Sequence, residues 1–204
     1  MYIKDIKLRY KKWFEDYKKG DSTLIRKLSG MTEYCLSETE ASHVLTYTSK
    51  HSCSINGKLR EGEEIKDLAE LEYVKFLSKT LTKLPSYNDK VVFRMDSPGN
   101  IEDVLYWFKK NITKSIELPF FLSTSKMQWD CNVKWQIKTL RQESKGKCLF
   151  NLSSNPSEEE VLFDVGAKFK ITSIDNENVI HLEEVNHDYV TDYVLSGVYY
   201  KNLL

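Results

Sequence analysis

Three consecutive acids, Glu158-Glu159-Glu160, stand directly before the apolar run Val161-Leu162-Phe163. If Glu160 opens a strand, Glu158 and Glu160 point to one face of the sheet and Glu159 to the other. Two carboxylates side by side can divide labour. One stabilises a developing cation while the other orients or deprotonates a nucleophile. Taken alone, such a run reads more often as a solvated acidic loop leading into a strand. Two groups upstream bear on that reading, although an Arg at a strand end is in isolation more often an ordinary surface residue. Arg94 closes the strand-like Lys90-Val91-Val92-Phe93, and Ser123-Thr124-Ser125 closes Pro119-Phe120-Phe121-Leu122. A guanidinium offers a rigid fork of donors suited to phosphate. Hydroxyls can hold a carboxylate in place, or simply close a β-turn.

These residues need elements to position them. The first half reads as helical. Ile3, Ile6, Tyr10, Trp13, Phe14 and Tyr17 form a stripe at helical spacing over 2–19. Gly20-Asp21-Ser22 breaks it, and a short turn follows from Thr23 to Leu28. Ser37-Glu38-Thr39-Glu40 has the form of a capping box, which starts a helix running to about Thr48. The longest periodic segment runs from Glu63 to Leu84 and is stopped by Pro85. The second half changes period. Residues 90–95 and 119–125 read as strands, with a helix between them capped by Asn100 and ending at Asn111. Asn132 to Arg141 reads as one more helix or a structured loop. Four further strands are expected over Cys148–Leu152, Glu160–Val165, Lys168–Ile174 and Val179–Val185, with a closing edge strand or hairpin in Asp188–Tyr200. Helices first and a meander later predict an α+β fold.

Composition narrows the function. Thirty basic and thirty acidic residues in 204 leave no net charge, which argues against a nucleic-acid binder relying on phosphate neutralisation. The first twenty residues, with seven Lys or Arg against three acids, read as the solvated face of an amphipathic helix. No apolar stretch approaches the ~18 residues of a membrane span, and the charged N-terminus is no classical signal peptide. Cys35, Cys53, Cys131 and Cys148 form no CxxC pair, and His43, His51, His181 and His187 are dispersed. Free thiols, synthesis in a reducing cytoplasm and no metal are expected.

Taken in order, Arg94, Ser123-Thr124-Ser125 and Glu158-x-Glu160 resemble the Arg/Ser-Thr-Ser/Glu-x-Glu class of mono-ADP-ribosyltransferases. That class includes the enzymatic components of binary actin-modifying toxins, related bacterial effectors and vertebrate arginine-modifying ectoenzymes. Further segments carry the resemblance. Tyr47-Thr48 followed by Ser54-Ile55-Asn56-Gly57-Lys58-Leu59-Arg60 looks like the family's helix ending in Ile-Asn-x-x-Leu-Arg. Val91-Val92-Phe93-Arg94 looks like its hydrophobic-aromatic-Arg strand, and Phe121 to Ser125 is close to its Phe-Leu-Ser-Thr-Ser signature. Glu160-Val161-Leu162 and Gly166-Ala167-Lys168-Phe169-Lys170-Ile171 match its strand-turn-strand. The resemblance covers about residues 37–185. It sets residues 1–36 apart as an N-terminal helical extension and leaves 37–204 as the catalytic domain. Ser52 stands where the family often has Tyr, Met95-Asp96 follow the motif Arg where many members have Gly or Arg, and the loop before Glu158 lacks a target-engaging aromatic.

The resemblance implies an ADP-ribosyltransferase-like fold: two packed antiparallel sheets, a helical N-terminal half and NAD, as substrate, in the central cleft. It implies transfer of ADP-ribose to an arginine of a target protein, through a ribosyl cation like that of glycoside hydrolysis. Glu160 would stabilise the cation and Glu158 would hold and deprotonate the acceptor guanidinium. Ser123 would hold Glu160, and Thr124 and Ser125 would support the strand. Arg94 would contact phosphate and ribose, the Met95 backbone the nicotinamide amide, and Asn56 and Arg60 the adenosine end. Asn56 and Arg60 read equally well as an ordinary helix C-terminus. Trp129 and Trp135 read as packing aromatics, with lining of the nicotinamide pocket as the alternative. Actin or another host protein is the kind of target implied, after delivery into a host or competitor cell, with a partner at the N-terminal helix as a further expectation. Two alternatives stay open: an NAD glycohydrolase or a transferase to another residue type, and an inactive binding module of the same fold.

Overall fold

A computed structural model describes residues 31–48, 52–60, 68–150, 152–153 and 155–195. The expected helix over 2–19, the 20–28 breaks, the start of the 63–84 segment and the end of the 188–200 strand lie outside the described residues. So does the surface that a helix there is expected to offer a partner.

Among the described residues, a helical turn at 31–33 is followed by three helices. The expected capping box starts α1 (Glu38–Thr46): the Ser37 hydroxyl accepts from the Glu40 amide at 3.3 Å, and the Glu40 carboxylate accepts from the Ser37 amide at 2.9 Å. Tyr47 and Thr48 prolong it as a wider, π-type turn. Then come α2 (Ser52–Arg60) and α3 (Leu68–Leu81), the latter burying Tyr73, Val74, Leu77 and Leu81 at helical spacing. The Tyr73 hydroxyl donates to the His43 carbonyl at 2.8 Å and ties α3 to α1. These helices share an apolar cluster with Phe121, Leu149, Leu152 and Leu162 of the sheet half described next.

The strands are β1 (Val91–Asp96), β2 (Ser115–Leu118), β3 (Leu122–Ser125), β4 (Val133–Lys138), β5 (Gly146–Cys148), β6 (Glu160–Phe163), β7 (Ala167–Ile174), β8 (Val179–Val185) and β9 (Tyr193–Val194). Helix α4 (Ile101–Lys110), capped by Asn100 as expected, lies between β1 and β2. The strands form one hydrogen-bonded sheet in the order β5-β6-β3-β1-β4-β8-β7-β2-β9. Phe163 of β6 and Phe169 of β7 are far apart in that order, yet their rings meet edge to face at 5.2 Å. The sheet therefore doubles over into two packed layers. Val92, Phe108, Trp135, Val161, Phe163, Phe169 and Ile180 belong to the core this encloses. The turn from β6 to β7 passes through Gly166 at φ +71°, which suits a residue without a side chain. Among the described residues no helix is long and apolar enough to cross a membrane.

The α+β class is as expected, and several details differ. The layers belong to one mixed sheet, because β4–β8 and β2–β9 are parallel. Asn132–Arg141 is not a helix or a loop: it contains β4. Val133, Trp135 and Ile137 are buried while Lys134, Gln136 and Lys138 are not, a period of two. Strand β2 is an addition to the expected strands. The strand expected over Cys148–Leu152 ends at Cys148, because the amides of Leu152 and Ser153 fold back onto the Leu149 carbonyl at 2.6 and 2.8 Å. In the Asp188–Tyr200 segment the described strand is only β9, fastened where Asp192 accepts from the Ser115 amide and hydroxyl at 2.8 and 2.9 Å.

Candidate active site

The site grows from the pairing of β3 with β6. The antiparallel register sets Ser123 opposite Leu162 and Ser125 opposite Glu160. Ser123 and Glu160 are thus diagonal neighbours on one face. The Ser123 hydroxyl donates to Glu160 Oε1 at 2.7 Å. Thr124 turns the other way, is buried, and donates to the Val161 carbonyl at 2.6 Å. Ser125 donates to the Glu158 carbonyl at 2.5 Å and accepts from the Met127 amide at 2.9 Å. The three residues of the Ser-Thr-Ser motif therefore grip, in turn, the buried acid, its strand and the turn before it.

On the next strand Arg94 reaches across β3. Its Nη1 donates to the Ser123 carbonyl at 3.1 Å, and its Nε donates to Asp96 Oδ1 at 2.8 Å. Asp96, which follows the motif Arg in place of the family's usual residues, thus aims the guanidinium. From the helical side, Asn56 is buried and its amide is committed to the backbone. It donates to the Phe121 carbonyl at 2.9 Å and accepts from the Phe121 amide at 3.2 Å, as a paired strand would. It also donates to the Tyr47 hydroxyl at 2.8 Å. Burial raises that hydroxyl's pKa far above the ordinary value, so it stays protonated. Asn56 is thus a clamp on the chain leading into Ser123. Arg60, at the end of α2, lays its guanidinium over the Phe120 ring at 4.9 Å.

Glu158 and Glu160 converge by a route different from the expected one. Glu160 begins β6, but Glu158 lies in a 3-10 turn, Pro156–Glu158, and Glu159 between them is left-handed at φ 45°. Strand alternation therefore does not relate the two acids; the reversal at Glu159 does. Glu159 itself pairs with Lys126 at 3.4 Å. Glu158 is exposed, whereas Glu160 is 4% exposed. Burial pushes the Glu160 carboxyl above the usual value, helped by the nearby charge of Glu158. The hydrogen bonds from Ser123 and Ser153 and the charge of Arg94 oppose that rise.

A cavity of about 230 Å³ is lined by Glu158, Glu160, Ser123, Arg94, Arg60 and Asn56, together with Tyr47, Thr48, Ser52 and Cys53. Two permanent cations and two carboxylates face one space. The guanidiniums of Arg60 and Arg94 suit the diphosphate of a dinucleotide, and Glu160 with Ser123 suits ribose hydroxyls and positive charge developing beside them. Met95, Thr124 and Ser125 do not line it. Neither do the tryptophans: Trp135 is buried against Phe108, and Trp129 is 47% exposed. One further contributor carries no sequence signal. Ser153 is buried and its hydroxyl donates to Glu160 Oε2 at 3.1 Å. Nothing in the sequence distinguishes it from Ser154 or Ser157.

A family model described as ADP-ribosyltransferase exoenzyme matches residues 10–197. None of the curated proteins matches the chain in sequence. Several solved structures share the fold. Plx2a, an ADP-ribosyltransferase toxin from Paenibacillus larvae, is 19% identical over 80% of this chain and 96% of its own, with a TM-score of 0.65. The Clostridium limosum C3 exoenzyme is 20% identical over 81% and 94%, with a TM-score of 0.63. The ADP-ribosyltransferase Vis of Vibrio splendidus, in a complex with agmatine, is 22% identical over 77% and 79%, with a TM-score of 0.60.

Proposed function

The chain belongs to the ADP-ribosyltransferase exoenzyme family, and from that premise we propose that it transfers ADP-ribose from NAD to an arginine side chain of a target protein. The observation that carries this reading is the meeting of Glu158, Glu160, Ser123, Arg94 and Arg60 on one cavity. The agmatine bound to Vis, itself a guanidinium compound, supports an arginine-like acceptor.

The roles follow from the surroundings of each group. Arg94 and Arg60 bind the diphosphate. The bond between nicotinamide and ribose breaks, and neutral nicotinamide leaves with the electron pair. Positive charge develops on the ribose beside Glu160, whose carboxylate favours that state over the ground state. Ser123 holds the carboxylate toward it. A guanidinium nitrogen of the acceptor, oriented by Glu158, forms the new bond to the ribose carbon as its proton passes to Glu158. Glu159, paired with Lys126, stays outside these steps.

Target, delivery and domain division belong to the same reading. The acceptor is a protein arginine in a host or competitor cell, with actin as one candidate. Plx2a, a toxin, and the Clostridium limosum C3 exoenzyme support delivery. Residues 1–36 form an extension to the catalytic unit, 37–204. Labelled NAD incubated with agmatine tests the core of it: label must move onto agmatine. Release of free ADP-ribose alone would mean a glycohydrolase. Neither product would leave a binding module.

A further inference from the structure

Glu160 and Glu158 are joined by two side chains that lie outside the steps above. The buried Ser153 hydroxyl donates to Glu160 Oε2 at 3.1 Å and accepts from the Asn155 amide nitrogen at 3.2 Å. The Asn155 side chain then donates from Nδ2 to Glu158 Oε1 at 2.8 Å, while its Oδ1 accepts from the Ser157 hydroxyl at 2.7 Å. Both ends of this run are fixed to the sheet. The Leu149 carbonyl accepts the Ser153 amide at 2.8 Å, and the Leu149 amide donates to the Glu160 carbonyl at 2.9 Å. At the other end, the Glu158 carbonyl accepts the Ser125 hydroxyl at 2.5 Å. Pro156 keeps Asn155 out of the helical region, at φ −124° and ψ 87°.

We propose that Ser153 and Asn155 are positioning residues that form a bridge between the two carboxylates, Ser153 aiming Glu160 at the ribose and Asn155 aiming Glu158 at the acceptor. This rests on the transferase reading of the site.

Glu160 receives one hydroxyl on each oxygen, Ser123 on Oε1 and Ser153 on Oε2, from separate elements. A carboxylate held at both oxygens cannot rotate about its last bond, and preorganisation of this kind favours charge that appears only in the transition state. A serine hydroxyl can donate or accept. Here the Asn155 amide occupies its accepting side, which leaves the proton for Glu160. Glu158 has no burial to restrain it, so its direction depends on the Asn155 amide. Replacing the Asn155 side chain removes that hold and spares the backbone amide that serves Ser153, so the two halves of the bridge can be separated.

The test uses the full-length protein and the variants S153A, S153T and N155A, with NAD hydrolysis, transfer to agmatine and thermal melting measured for each. S153A is expected to lower kcat of hydrolysis ~10-fold, the scale of one hydrogen bond to a charged group, with little change in KM for NAD. Its acid limb should also move to higher pH, because a donor favouring the charged Glu160 is gone. S153T keeps the hydroxyl and should restore both. N155A should lower the transfer-to-hydrolysis ratio ~10-fold. An S153A acid limb that stays in place, or an S153T loss equal to that of S153A, overturns the role of Ser153. A wild-type ratio in N155A overturns that of Asn155. If wild type leaves agmatine unmodified, the arginine reading falls and the role of Asn155 falls with it, while the hydrolysis profile of S153A still decides the role of Ser153.

Discussion

Glu160 and Glu158 are two residues apart and live in opposite surroundings. Glu160 sits on β6, 4% exposed, with a hydroxyl on each oxygen and Arg94 nearby. Glu158 sits on a solvent-exposed turn, and its one described side-chain partner is the exposed Asn155. The sheet determines the first; a short loop determines the second. The difference matches the work each is assigned. Cleavage of NAD is the same event whatever the target, so its carboxylate belongs in the rigid core. The acceptor arrives on another protein, and a group that meets it belongs at the rim.

The largest expected effect breaks the buried side. Replacing Glu160 by Gln keeps its shape and removes its charge, and should lower both hydrolysis and transfer by about 10²–10³-fold. Activity within a few-fold of wild type in either assay would remove Glu160 from the chemistry. Next comes the clamp beneath that side. Replacing Asn56 by Ala strands the buried amide and carbonyl of Phe121, so stability should fall by about 3 kcal/mol. Thermal melting reads this directly. An unchanged melting temperature would mean that β3 is held without Asn56. The smallest effect is a pH dependence. Glu160 must be ionised to stabilise a cation, and its pKa is raised, chiefly by burial. Hydrolysis should therefore rise with pH through a midpoint above 4.5, the ordinary value for the group. A midpoint at or below 4.5 would erase the contrast in burial between the two acids.

The two sides were also unequally legible in sequence. The buried side rests on local patterns that sequence carries well. The capping box of α1, the apolar runs of β1, β3 and β6, and the Ser-Thr-Ser motif all occupy the elements expected for them. The rim does not. The pairing of Glu158 with Glu160 was anticipated from strand alternation, yet a left-handed Glu159 produces it, and no glycine marks that reversal. Ser153 reaches Glu160 with its own amide and that of Leu152 turned back onto the Leu149 carbonyl, where the apolar Cys148-Leu149-Phe150 run suggests a strand. Over Val133–Lys138 the alternation was visible in the sequence itself, and a period of two should have outranked a helical reading there. Asn56 teaches a different lesson. A motif residue that lines the cavity can have both ends of its amide engaged by the fold, and only coordinates reveal the Phe121 backbone as its partner.

The division between core and rim is tested most directly by one variant measured in two assays. In E158Q, ADP-ribose transfer to agmatine should fall by about 10²-fold or more, while NAD hydrolysis remains within a few-fold of wild type. Equal loss of both activities would contradict the account, because it would place Glu158 in the cleavage step that the buried Glu160 is held to perform.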